Sequence, residues 1–449
     1  MTALPKSELR PILVGLGLAM LLSALDQTIV AAAMPSIAAQ FADYEHLSWI
    51  VTAYLVAGVV ATPLYGKLAD IHGARVMMLI GVAIFAVGSL ACALAPGMMW
   101  LAAARALQGL GRGALISLAQ TLIAELVTPQ ERGRYQTYFS AVFVASSIAG
   151  PILGGLFSQY AHWSLIFWIN LPLGAAAWLA VDRRLARLPV RSHPHKMDYP
   201  GAALLALASG ALVLSLGRDG SGPSLPLIAV SLAAFLAFAR RQRTAPEPMI
   251  PLSILTEPVI RDATISSSFG LGAFVGLSVT APLYFQAIMA LTASQSGLAL
   301  IPIMAATVTG ATVSGRTMAA ARSYKTLPLA ALALGAACAF AAALFLERLP
   351  LAALDALLTL VNLGVGAMLP VATVCVQNAA PRRDLGSATA VMQFCRQLAC
   401  ALIAALFGAL VAHGGVGEGF RLVLAATGVC AALSFAFLAR MEEKPLRGR

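Results

Sequence analysis

Apolar stretches of about twenty residues, the length that crosses a bilayer's hydrocarbon core as a helix, recur along this entire chain. Spans are expected at 12–34, 47–66, 76–95, 98–122, 137–157, 164–181, 200–217, 225–239, 263–288, 296–314, 326–346, 351–375, 386–412 and 420–439. Composition agrees: 59% of the 449 residues are hydrophobic and 11% are charged, against about 25% charged in soluble domains. No soluble fold covers so much apolar surface. The expected class is an all-α polytopic membrane protein with fourteen crossings, or twelve if the short segment 225–239 and its neighbour 200–217 do not cross.

The basic residues orient these spans. With the N-terminus in the cytoplasm, 24 of the 30 Lys and Arg fall on the cytoplasmic side, among them Arg132, Arg187, Arg191, Lys196, Arg322, Lys444, Arg447 and Arg449. The outer side holds Arg218, Arg348 and Arg421, and Arg105, Arg112 and Arg396 lie within spans. That asymmetry follows the positive-inside rule and puts both termini inside. The net charge of +11 is therefore no sign of nucleic-acid binding, because no Lys/Arg run is interleaved with aromatics. Lys6, Arg10 and the apolar run after them look like a signal peptide, and Ala31-Ala32-Ala33 mimics a cleavage site. The run is too long and is followed by many more, so an uncleaved signal-anchor is expected. The six cysteines lie in expected spans, without a CxxC pair, and read as small buried hydrophobes.

The longest loops, 182–199 and 240–262, are cytoplasmic and bracket the seventh and eighth spans. Neither holds a soluble domain, and no GxxxxGK[ST] motif occurs. Transport would be driven by an ion gradient, with no cofactor. Two loops echo each other: Pro129-Gln130-Glu131-Arg132-Gly133 after the fourth span, and Pro381-Arg382-Arg383-Asp384-Leu385-Gly386 after the twelfth. Gly66-Lys67-Leu68 after the second span is echoed more weakly by Gly315-Arg316-Thr317 after the tenth. Internal repeats are usual in secondary transporters. They divide the chain into a six-helix half, 1–181, an insert with two further helices, 182–262, and a second six-helix half, 263–449.

Charge at membrane depth is expensive, by about 2.5–3.5 kcal/mol on insertion scales, and marks function. Five positions qualify: Asp26, Arg105, Arg112, Asp355 and Arg396. At about 1.5 Å per residue, Asp26 lies about 12 Å and Arg105 about 10 Å from the outer ends of their spans, so the two are expected to pair. Arg112 follows Arg105 on the same face, about 10 Å deeper. Asp355 lies near the outer end of its span, where it either snorkels or serves a cavity with Asn362. Gln393 and Gln397 give Arg396 a polar face.

The junction of the second and third spans reads Gly66-Lys67-Leu68-Ala69-Asp70-Ile71-His72-Gly73-Ala74-Arg75. Its glycines allow a tight turn, Asp70 can cap the third span or sit near another helix N-terminus, and Arg75 can pair with Asp70 or lipid phosphate. Further motifs follow in order: Leu25-Asp26-Gln27-Thr28-Ile29-Val30; Arg105-Ala106-Leu107-Gln108-Gly109-Leu110-Gly111; Gly150-Pro151-Ile152-Leu153-Gly154-Gly155; and Trp163 to Gly174 with Asn170 and Pro172. This ordered set resembles the major facilitator superfamily, in its 14-helix drug:proton antiporter branch, over nearly the whole chain.

The resemblance implies roles. Asp70 would latch the cytoplasmic side against the start of the thirteenth span in the outward-facing state, with Gly66, Gly73 and Arg75 completing the gate. Gly150, Pro151, Gly154 and Gly155 form the antiporter signature, whose glycines allow close packing and whose proline bends the helix. Asp26 and Arg105 would couple protons, and Gln108, Arg112, Asn170, Asn362, Gln393 and Arg396 would face the substrate. Ile71 and Ala74 stand where the family often has basic residues, Arg112 where it has a small residue, and Ser146 where it often has glycine.

The expected function is export of drugs or other small organic compounds by proton exchange, through alternating access of the two halves. The expected setting is a bacterial-type inner (plasma) membrane, as a monomer, with a small-molecule substrate, protons and lipid as partners. The alternative is a dedicated carrier, perhaps an importer, of one metabolite or vitamin. Two interior acids against three bases favour neutral, zwitterionic or anionic substrates. An enzyme is not expected, since the six His show no metal-ligand pairing beyond His193-x-His195 in a polar linker.

Overall fold

The computed structural model describes residues 6–43, 46–185, 197–216, 224–248, 250, 254, 256–318 and 323–443, and among them there is no strand. Arg187, Arg191, His193, His195, Lys196, Arg218, Arg322, Lys444, Arg447 and Arg449 lie outside the described residues. The helices are α1 Lys6–Phe41, α2 Leu47–His72, α3 Ala74–Ala93, α4 Met98–Leu126, α5 Pro129–Tyr160, α6 Leu165–Trp168, α7 Asn170–Leu185, α8 Tyr199–Leu216, α9 Leu225–Thr244, α10 Pro258–Ala287, α11 Ala293–Thr317, α12 Thr326–Phe345, α13 Leu351–Ala379 and α14 Leu385–Arg440. Alanine and leucine, strong helix formers, dominate them. In lipid, a helix satisfies every backbone polar group within its own segment.

Among the described residues, eleven helices are long and apolar enough to cross a membrane, which makes the chain a multi-pass membrane protein. The expected count of fourteen is not reached by this measure, for local reasons. Arg105, Gln108, Arg112 and Gln120 dilute the apolar character of α4. The apolar part of α8 is short, Tyr199–Ser215. Segments 386–412 and 420–439 fall in the single run α14, whose helical dihedrals lapse at Gly415 (φ 69°, ψ 171°). Gly73, at φ 91° between α2 and α3, makes the corner that the sequence places there. Both angles lie where glycine alone is unstrained. Segment 164–181 is interrupted at Ile169. Pro172 removes the N–H that would bond Trp168, and its ring crowds that carbonyl.

The chain forms two compact units: Met1–Val127, Ala141–Ile254 and Ala380–Phe394; and Thr128–Ser140, Leu255–Ala379 and Cys395–Arg449. In the first, α2 and α3 pack on α4, α1 packs on α7, and α8 packs on α9 and α2. Its core includes Ile29, Ile37, Leu101, Trp163 and Phe167. In the second, α10, α11 and α12 pack on α13. Its core includes Phe285, Phe407 and Phe420, with Tyr284 stacked on Phe420 at 4.5 Å.

Candidate functional site

Four helices of the first unit bring polar side chains to one buried point. Asp26 comes from α1, Ser89 from α3, Arg105 and Gln108 from one face of α4, and Asn170 opens α7 just after the break at Ile169. Asp26 is 0% and Arg105 1% exposed. Arg105 Nη1 donates to Asp26 Oδ2 at 2.5 Å and to Gln108 Oε1 at 2.5 Å, and its Nε donates to the Ile50 carbonyl at 3.2 Å. Gln108 Nε2 donates to Asp26 Oδ1 at 2.8 Å and Ser89 Oγ at 2.7 Å. Asn170 Nδ2 reaches the same Oδ1 at 2.9 Å. The Tyr54 ring lies 3.8 Å from the Arg105 guanidinium carbon, a cation–π contact, and its hydroxyl donates to the Ser23 carbonyl at 3.3 Å.

The depth argument brought Asp26 and Arg105 together, and they touch. Gln108 and Asn170, expected to line a substrate cavity, both donate to the Asp26 carboxylate. Ser89 and Tyr54 went unnoticed in the sequence, because a lone hydroxyl or tyrosine in an apolar span carries no pattern. Arg112 Nη2 donates to Gln27 Oε1 at 3.3 Å, and a Cβ at Gly58 would sit 2.7 Å from Arg112 Nη1. The absence of that Cβ gives the guanidinium room.

The glycine motif of α5 packs against α1. A Cβ on Gly150 would overlap Thr28, and one on Gly154 would overlap the Ile29 carbonyl, whereas one on Gly155 would meet nothing. Close packing therefore rests on the first two glycines. Thr28 Oγ1 donates to the Ser146 carbonyl at 2.9 Å, across the same contact. The helix runs unbroken through Pro151.

At the α2–α3 corner, Asp70 does not cap α3. Its carboxylate accepts from Gly386 N at 2.8 Å, Ser387 N at 2.8 Å and Ser387 Oγ at 2.6 Å. These are the first turn of α14, where N–H groups lack helical partners and the dipole favours an anion. Arg75 donates to Asp182 rather than to Asp70: its Nη2 lies 2.7 Å from Asp182 Oδ1, tying α3 to α7. Gly66 and Gly386 abut, with a Cβ on Gly66 2.9 Å from the Gly386 carbonyl. In the second unit Gly133 and Gly315 do the same, at 2.7 Å. The two loop echoes in the sequence are thus two equivalent corners. Hydrogen bonds to a charged group contribute about 1.5–3 kcal/mol each. Asp70→Asn, which sets an amide against these donors, is expected to slow transport about tenfold at equal protein level. Rates in vesicles, normalised by immunoblot, check this.

In the second unit, Arg396 on α14 is 3% exposed. Its Nε donates to Ser267 Oγ at 2.9 Å and its Nη1 to Thr373 Oγ1 at 3.2 Å. The run Ser266-Ser267-Ser268 in an apolar span was the overlooked signal for this partner. Gln393 is buried one turn earlier. Asn362 on α13 donates to the Leu358 carbonyl at 2.8 Å, and its Oδ1 is buried without a partner, as is Asp355 Oδ1.

Comparison with known proteins places this geometry in context. The Major Facilitator Superfamily model matches residues 16–404. An uncharacterized MFS-type transporter of Mycobacterium tuberculosis is 32% identical over 398 residues, 87% of this chain and 58% of the relative. Multidrug resistance protein 3 of Bacillus subtilis is 33% identical over 315 residues, 69% of this chain and 61% of the relative. The chain spans less than two thirds of either relative's length. The MFS proton:xylose symporter XylE, bound to 6-bromo-6-deoxy-D-glucose, aligns with TM-score 0.70 at 16% identity, covering 99% of this chain and 98% of that one. At that identity the likeness concerns the fold.

Proposed function

The chain belongs to the major facilitator superfamily, and on that footing we propose that it exports drugs or other small organic compounds in exchange for protons. The proposal includes fourteen crossings, arranged as halves 1–181 and 263–449 with the insert 182–262. It includes both termini in the cytoplasm of a bacterial-type cell, in its inner membrane, and a monomer as the working unit. The observation that carries it is the sealed Asp26–Arg105 pair with its Gln108 and Asn170 donors. In this reading Asp26 is the proton site, and its ionised form is the one that Arg105, Gln108 and Asn170 hold. A proton on Asp26 cancels the charge that anchors Arg105, loosening α1 from α4; its departure restores the pair. The two protonation states thus favour different helix arrangements, which is what alternating access requires.

One proton crossing with each molecule gains about 2.3 kcal/mol per 100 mV, enough for roughly a 50-fold substrate gradient. The efflux direction draws support from the relative named for multidrug resistance. Gln108, Arg112, Asn170, Asn362, Gln393 and Arg396 are the side chains proposed to meet or sense the substrate.

Expression in a host stripped of its own pumps tests the proposal. The expected result is at least a fourfold rise in the inhibitory concentration of some of ethidium, norfloxacin and nalidixate, abolished by a protonophore. Rescue of an auxotroph with no gain of resistance would contradict export.

A further inference from the structure

Arg396 is a buried cation with neutral partners. Ser267 and Thr373 accept two of its N–H groups, and Nη2 is buried without a partner. Three acids of its unit, Asp262, Glu418 and Asp355, are occupied or distant. Asp262 pairs with Arg261 at 2.8 Å and approaches Arg440 at 3.9 Å, and Glu418 pairs with Arg421 at 3.1 Å. Asp355 precedes Thr373 on α13 by about 27 Å of helix. In the first unit, by contrast, Arg105 carries its own carboxylate.

A guanidinium cannot shed its proton in a protein, and burying an uncompensated ion costs several kcal/mol. The cost persists here unless an anion arrives. A guanidinium has five N–H donors in a planar fork. With Nε and one N–H of Nη1 engaged and Nη2 without a partner, three donors remain for an oxyanion, which guanidinium groups bind with charge-assisted bonds. Thr264, one turn before Ser267 on α10, adds a buried hydroxyl without a partner.

We infer that Arg396, held by Ser267 and Thr373, receives a carboxylate or similar oxyanion carried by the transported compound. This rests on the transport reading above and narrows its substrates to organic anions. Asp26 and Arg396 then divide the work: one site for the proton, the other for the cargo's charge.

The test is thermal unfolding of the purified full chain in nanodiscs, with matched probes: salicylate against salicylamide, and benzenesulfonate against benzenesulfonamide. The acids are expected to raise Tm by about 3 °C or more and the amides not at all. Arg396→Gln should abolish the shift, and Arg396→Lys should keep part of it. The ligand-free Tm of Arg396→Gln should equal or exceed that of the unaltered protein, because an unpaired buried charge has gone. Equal shifts from acid and amide, no shift from either acid, a shift that survives Arg396→Gln, or the same shift from chloride alone would each overturn the inference. So would a fall in ligand-free Tm, which marks a purely structural arginine. Efflux assays separate the two levels. Export of cationic compounds only would sink the anion site and leave transport standing, whereas export of nothing would sink the transport reading.

Discussion

Arg105→Gln is expected to lower the stability of the folded protein by about 3–5 kcal/mol, because it strands the Asp26 carboxylate where water does not reach. Gln108 and Asn170 would still donate to Asp26, but neither carries charge. Asp26→Asn should cost a similar amount by stranding Arg105, left with the Ile50 carbonyl, Gln108 and the face of Tyr54. The double variant removes both charges at once and should recover most of the loss. Contacting residues couple in this way, whereas distant ones add. Unfolding curves of the four proteins in nanodiscs give the cycle. Losses that simply add would mean that the 2.5 Å contact does not set stability.

Asp26→Asn is also expected to reduce uphill, gradient-driven export at least 100-fold, with exchange of the compound down its own gradient retained. Asparagine has no titratable proton, so the change that loosens α1 from α4 cannot occur on demand. The helices still move, and a compound with a gradient of its own still crosses. Asp26→Glu keeps the proton but adds a methylene to a filled site, which costs about 1–3 kcal/mol in a packed interior. It should slow transport without uncoupling it. Initial rates in vesicles, with and without an imposed pH gradient, separate these outcomes.

Much of this arrangement is legible in the sequence because charge in an apolar span is conspicuous. Asp26 and Arg105 could be paired from depth alone, since helix rise converts residue number to distance. The Gly66/Gly315 and Gly133/Gly386 echoes were legible as a repeat, but that Gly66 meets Gly386 and Gly133 meets Gly315 was not. Neutral partners were not legible: Ser89, Tyr54, Ser267 and Thr373 are ordinary residues whose role depends on which helix faces them. Asn170 was legible as a polar residue of the sixth span, but its bond to Asp26 was not. Arg75 was given Asp70 or lipid phosphate as a partner, yet it pairs with Asp182, far along the chain. The crossing count was blurred by the polar content of α4 and by the run of helix through Gly415.

The most direct measurement follows the proton itself. Proteoliposomes carry a trapped pH dye and are given an outward gradient of a compound that the unaltered protein exports. With Asp26 present, the account predicts a luminal pH change that rises in step with compound movement, in the sense of exchange. With Asp26→Asn, the compound should move with no pH change above that of empty liposomes. Proton movement by Asp26→Asn at the unaltered ratio to compound would contradict the assignment of Asp26 as the proton site.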